Sequence, residues 1–186
     1  NTKENIESGL TAQRKSLVLL ENNGMLPLDK NTKVYIDGLD KNIAKKFGHV
    51  VDTPSEADVV IMYLHTVFNG NQDSGLNRVF DIFLSKLFPN GDLRYNQEIK
   101  KKIKSYSENK ELILVVDLNR PAILEEIKEF SSGLIGTFGV LDQIIFEGVY
   151  GKFNPSGKLP FEVPSSMDSV LNQKEDLPDD TLDPTY

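Results

Sequence analysis

Two short apolar runs constrain the fold of this chain more than anything else in it. Ala57-Asp58-Val59-Val60-Ile61-Met62-Tyr63-Leu64 and Glu111-Leu112-Ile113-Leu114-Val115-Val116-Asp117-Leu118 are almost unbroken hydrophobic stretches of strand length. A strand with one solvated face alternates apolar and polar residues, whereas these runs do not, which suits strands buried on both faces. Strands of that kind belong to sheets covered by helices on each side. Lys33 to Gly38 and Leu134 to Gly139 read as further strands, and His49-Val50-Val51 as a shorter one. Amphipathic segments lie between them. The order strand, helix, strand, helix predicts an α/β fold: a three-layer sandwich with a mostly parallel sheet and helices on both faces. One sheet should contain residues 33–37, 58–64, 112–117 and 133–138.

The helices are placed by periodicity and by their stops. Residues 3–20 read as a helix with Thr2 as N-cap and Ile6, Leu10, Leu17, Val18 and Leu20 on one stripe, stopped by Asn22-Asn23-Gly24. A short helix is expected near 42–47. Leu76, Val79, Phe80, Phe83, Leu84, Leu87 and Phe88 recur at helical spacing before Pro89-Asn90-Gly91-Asp92. Residues 96–107 form another amphipathic helix whose lysines make a solvated face. Pro121 suits the first turn of a helix running to Phe130, and Leu141 to Tyr150 is the last. Three stretches follow from this: a helix and connector over 1–31, the sandwich over 32–164, and a tail over 165–186. The tail sets six acidic residues against Lys174 alone and reads as a peripheral wrap or a partly disordered segment.

Composition narrows the function by exclusion. A net charge of −7 leaves no basic footprint for nucleic acid. With no Cys there is neither a disulfide framework nor a thiolate metal site. No apolar run approaches the roughly 20 residues of a membrane-spanning helix. Neither G-x-G-x-x-G nor G-x-x-x-x-G-K-[ST] is present, so no phosphate-bearing cofactor is expected, and a flavodoxin-like cofactor binder would rest on the fold alone. The chain starts at Asn1 without Met or signal peptide and reads as a piece of something longer.

Two punctuated stretches carry more specific information. Gly151-Lys152-Phe153-Asn154-Pro155-Ser156-Gly157-Lys158-Leu159-Pro160-Phe161-Glu162-Val163-Pro164 is a turn, with Gly157 suited to a positive φ, followed by an alternation that fits an edge strand. It resembles the N-P-S-G-K-L-P-x-x-x-P signature closing the α/β domain of family-3 glycoside hydrolases, the β-glucosidase and β-xylosidase group. Ser16-Leu17-Val18-Leu19-Leu20-Glu21-Asn22, followed by Met25-Leu26-Pro27-Leu28, is similar to the opening motif of the same domain. The resemblance covers most of residues 10–178.

The resemblance implies the second domain of a retaining β-glycosidase. Its nucleophilic Asp would come from a preceding (β/α)8 barrel, and its general acid from a loop after a strand of this domain. Such enzymes hold the two carboxyls about 5–5.5 Å apart across the scissile bond. The polar stretch from His65 to Gly75 follows a buried strand and fits that loop, yet no Glu occurs between Glu56 and Glu98. Asp73 and Asp92 are therefore the candidate acids, and His65, Arg78 and Asp92 the candidate sugar contacts. Asp73 also suits an N-cap, Asp92 a turn residue and His65 a satisfied strand-end histidine. Asp81 reads as solvated, whereas Arg120, Lys158 and Glu162 read as structural. With no Trp, the nearest aromatic platforms are Tyr63, Phe68 and Tyr95. The expected partners are a β-linked glucoside or related saccharide and the barrel, in cis or in trans. The alternative is a non-catalytic α/β module that binds carbohydrate or a partner protein.

Overall fold

The computed structural model describes residues 2–67, 92–174 and 177–186. The expected strands all form, in one six-stranded sheet. They are β1 (Val18–Asn22), β2 (Lys33–Asp37), β3 (His49–Val51), β4 (Val59–Leu64), β5 (Glu111–Asp117) and β6 (Gly133–Thr137), in the spatial order β1-β6-β5-β4-β2-β3. All pairs are parallel except β1 with β6. The described helices are α1 (Lys3–Ser16), α2 (Lys41–Ala44), α3 (Gln97–Ser107), α4 (Glu125–Lys128), α5 (Asp142–Val149) and α6 (Met167–Asn172).

The continuous apolar runs make two cores at once. Because side chains alternate along a strand, Val60, Met62, Leu112, Leu114 and Val116 turn to one face, where they meet Ile103 of α3 and Ile127 of α4. Val59, Ile61, Ile113 and Val115 turn to the other, with Val34, Ile36 and the α5 residues Ile145, Phe146 and Val149. In-register pairs such as Met62 with Leu114 and Leu114 with Leu134 keep each core continuous across the sheet. This is the three-layer sandwich that the doubly buried strands demanded.

Four local expectations are corrected. The first helix stops at Ser16, and Val18 to Asn22 become the antiparallel edge strand. Thr2 does cap α1, accepting from the Asn5 amide at 3.3 Å, but α1 buries no residue and Ile6 stays 53% exposed. Arg14 instead ties α1 to α5, its Nε 2.7 Å from the Glu147 carboxylate. The helix expected from Pro121 shrinks to α4, because residues 121–124 run without helical bonds and Ile123 donates to the Leu93 carbonyl at 3.0 Å. Finally, the closing motif makes no edge strand, and Leu159 is half-buried rather than fully core. The backbone of Val163 bonds instead to the end of the chain, donating to Tyr186 O at 2.8 Å and accepting from Thr185 N at 2.7 Å. Glu162 accepts from Thr181 N at 3.0 Å, so it holds the returning tail, and the Tyr186 hydroxyl reaches back to Glu21.

Gly157 also differs from expectation, and the reason joins the two sequence motifs. It is absent from the positive-φ glycines. Its amide donates to Leu17 O at 3.0 Å, and a Cβ built on it would lie 2.6 Å from that oxygen and 2.9 Å from the carbonyl carbon of Ser16. Glycine is required here because two backbones meet. Gly157→Ala should therefore cost about 1–3 kcal/mol, the usual penalty of an overpacked site, read as a lower denaturation midpoint. Gly9→Ala, in open space on α1, should lose none.

Candidate functional site

Parallel sheets bind ligands beyond the carboxyl ends of their strands, at the point where successive connections turn to opposite sides. Here the chain passes from β2 outward to β3, then returns to β4 on the other flank of β2, so the switch lies between β2 and β4. A cleft of about 490 Å³ opens at that place.

Its floor is built by strand ends. The Asp37-Gly38 turn closes β2, with Gly38 at φ 86° and its Cα packed so tightly on Tyr63 that an added Cβ would sit 3.1 Å from Tyr63 O. Asp37 Oδ2 pairs with Lys102 Nζ of α3 at 2.7 Å and accepts from the Tyr106 hydroxyl at 3.1 Å. Burial pushes the Tyr106 phenol up, and the Asp37 charge adds to it. From β4 come His65, which is exposed, and Thr66, whose hydroxyl donates to Asp117 O at 3.4 Å. The rings of Tyr63 and His65 meet edge to face at 5.0 Å. Burial raises the Tyr63 phenol, followed by the charge of Asp117 at the end of β5.

Tyr95 forms part of the cleft wall at 3% exposure. Its hydroxyl is buried and finds no hydrogen-bond partner among the described residues. Burial, then the nearby Asp117 charge, push that phenol up. A buried hydroxyl without a partner costs about 1–3 kcal/mol in desolvation. Next to it α3 begins, its first turn capped by Asn96 Oδ1, which accepts from Ile99 N at 2.9 Å.

The residues singled out from the sequence fall in different places. His65 lines the cleft. Asp92 does not; it is gripped by Arg94, whose Nη2 stands 2.5 Å from Oδ2 and whose Nε is 2.8 Å from Oδ1. The guanidinium hydrogen bonds hold the Asp92 carboxyl below the usual aspartate range, which favours its ionised form. Asp73, Arg78, Asp81 and Phe68 lie outside the described residues. Tyr63 and Tyr95 both reach the cleft, as wall rather than as open stacking platforms. Asp37 and Lys102 were not singled out. A carboxylate as the last residue of a strand at the switch point was the available sign of Asp37, whereas Lys102 is hidden in the lysine run of α3.

Comparison with known proteins agrees with this architecture. Residues 34–186 match the glycosyl hydrolase family 3 C-terminal domain. A periplasmic β-glucosidase/β-xylosidase from Dickeya chrysanthemi is 33% identical over 178 residues, covering 94% of this chain and 26% of that protein. β-Glucosidase C from Emericella nidulans is 33% identical over 187 residues, covering 97% of this chain and 29% of its own length. The chain thus spans a small fraction of these curated relatives. The crystal structure of a β-glucosidase from Listeria innocua in complex with isofagomine superposes with a TM-score of 0.73 at 18% identity, over 100% of this chain and 33% of that one. β-Glucosidase 3B from Thermotoga neapolitana in complex with α-D-glucose gives 0.68 at 14% identity, over 94% and 33%. At such identities these two structures speak to the fold alone.

Proposed function

Because the chain belongs to the glycosyl hydrolase family 3 C-terminal domain, we propose that it serves as the α/β half of a retaining β-glycosidase acting on β-linked glucosides or related saccharides. The nucleophilic carboxylate comes from a barrel domain outside residues 1–186, and this chain supplies the acid side. The observation that carries the reading is the family match over residues 34–186, a span that includes every strand end bordering the cleft.

The two acid candidates divide by environment. A general acid must hold its proton near working pH, and the Arg94 fork favours the opposite state in Asp92. Asp92 then suits a fixed acceptor for a sugar hydroxyl, and Asp73 is assigned the proton donor. His65 at the cleft rim and Arg78 are assigned hydroxyl contacts. Aspartate is one methylene shorter than the glutamate usual in this role, so its loop must bring it nearer the glycosidic oxygen.

The test uses the chain joined to its barrel. Asp73→Asn should slow an alkyl β-glucoside by about 10²–10⁴-fold and a nitrophenyl β-glucoside far less, because a nitrophenolate departs with little help from a proton. Equal losses on both substrates would remove Asp73 from the acid role. The missing Glu between Glu56 and Glu98 favours a second reading, a non-catalytic carbohydrate-binding module. Saccharide binding without turnover in the joined protein would select it.

A further inference from the structure

The hydrolytic roles assigned so far leave the cleft at the β2–β4 switch with an unused group, the Tyr95 hydroxyl. We propose that this cleft is a subsite for a neutral polyhydroxylated ligand, a sugar ring, one hydroxyl of which bonds to Tyr95. The inference rests on the glycosidase reading for the class of its ligand, while its own support is geometric.

The first support is the unsatisfied phenol. Buried polar groups in folded proteins are almost always hydrogen-bonded, and each exception asks for a cause. Tyr95 is 3% exposed with its hydroxyl unpaired among the described residues, and it forms wall of the cleft. Tyr150 carries a second such hydroxyl, but it packs against Gly48 and does not line this cleft.

The second support is the mixture of groups around that wall. Asp37 and Glu98 accept, Lys102 donates, and the hydroxyls of Thr66 and Tyr95 do either. Asp37 and Lys102 already neutralise one another at 2.7 Å. An anion entering here would face Glu98 as well as Asp37, and a cation would face Lys102. A ring of hydroxyls, each both donor and acceptor, meets the whole set without leaving a charge unanswered.

Size and place agree. About 490 Å³ falls within the roughly 300–1,000 Å³ of small-ligand clefts. The topological switch is where an open parallel sheet accommodates a ligand.

The experiment follows backbone amide shifts of the ¹⁵N-labelled 186-residue chain during titration with glucose and cellobiose, with no turnover required. Saturable shifts are expected at Asp37, Gly38, Thr66 and Lys102. Tyr95→Phe should weaken binding about tenfold while its melting temperature equals or exceeds that of the parent, since the change removes an unsatisfied hydroxyl. Lys102→Met, on the half-exposed rim, should weaken binding several-fold. The proposal is overturned by an absence of saturable shifts at those amides or by unchanged affinity in Tyr95→Phe. It is equally overturned by a lower melting temperature of Tyr95→Phe, or by inorganic phosphate moving the same amides at lower concentration than glucose. Loss of the leaving-group effect of Asp73→Asn would sink the acid assignment and leave these shifts in place, so the two ideas fail separately.

Discussion

Purified residues 1–186 should hydrolyse neither nitrophenyl β-glucoside nor nitrophenyl β-xyloside above the uncatalysed rate. A retaining glycosidase needs a nucleophile and an acid/base flanking one bond, about 5–5.5 Å apart. Acid–base catalysis by itself is typically worth about 10²–10⁴-fold, against enzymatic accelerations of roughly 10⁶–10¹⁷-fold. The proposed share of this chain is the acid side, so several orders of magnitude are missing without the barrel. Adding the barrel in trans, or joining it in cis, should raise turnover from background to a readily measured rate. Steady release of nitrophenol by the isolated chain, abolished by changing one of its own carboxylates, would end the two-domain reading.

Leu114→Ala should cost about 2–5 kcal/mol, the range for truncating a fully buried leucine. Leu114 is 0% exposed in the middle of β5, with Met62 and Leu134 as its in-register neighbours. Removing three carbons there leaves a space that two flanking strands and the helix above cannot close without breaking ladder hydrogen bonds. Since a domain's whole stability is about 5–15 kcal/mol, the loss should move a urea midpoint far below that of the parent at unchanged slope. Leu159→Ala, at a half-buried position, should lose clearly less. A midpoint for Leu114→Ala equal to the parent's would contradict the burial of β5 on both faces.

What could be read from the residues, and what could not, follows from how local each cause is. β4 and β5 were legible because double burial writes itself as an unbroken apolar run. β1 was not, because Leu17-Val18-Leu19-Leu20 satisfies a helical stripe as well as a strand, and the choice is made by pairing with β6. Pro121 looked like a helix start, yet the residues after it are drawn into the contact between Ile123 and Leu93. The alternation from Leu159 to Val163 promised a strand, but its partner is the chain terminus, which no local pattern reveals. In the site, His65 and Tyr95 were legible from their place beside a buried strand or after a turn. The Asp37–Lys102 pair was not, because it joins two elements far apart in sequence. The low proton affinity of Asp92 depends on Arg94 two residues on, a pairing visible in sequence only as a possibility.

The meeting of Gly157 with Leu17 has a consequence for how the chain comes into being. On a ribosome the N-terminal end emerges first, and β1 can neither pair with β6 nor receive the Gly157 amide until more than a hundred further residues have been made. At about 5–20 residues per second, that wait is on the order of ten seconds. Throughout it, Leu17 and Val18, both buried in the finished molecule, have no native place to go. The first motif to be synthesised is therefore among the last to be folded, and the nascent domain depends on the cell's chaperones for that interval more than its small size would suggest.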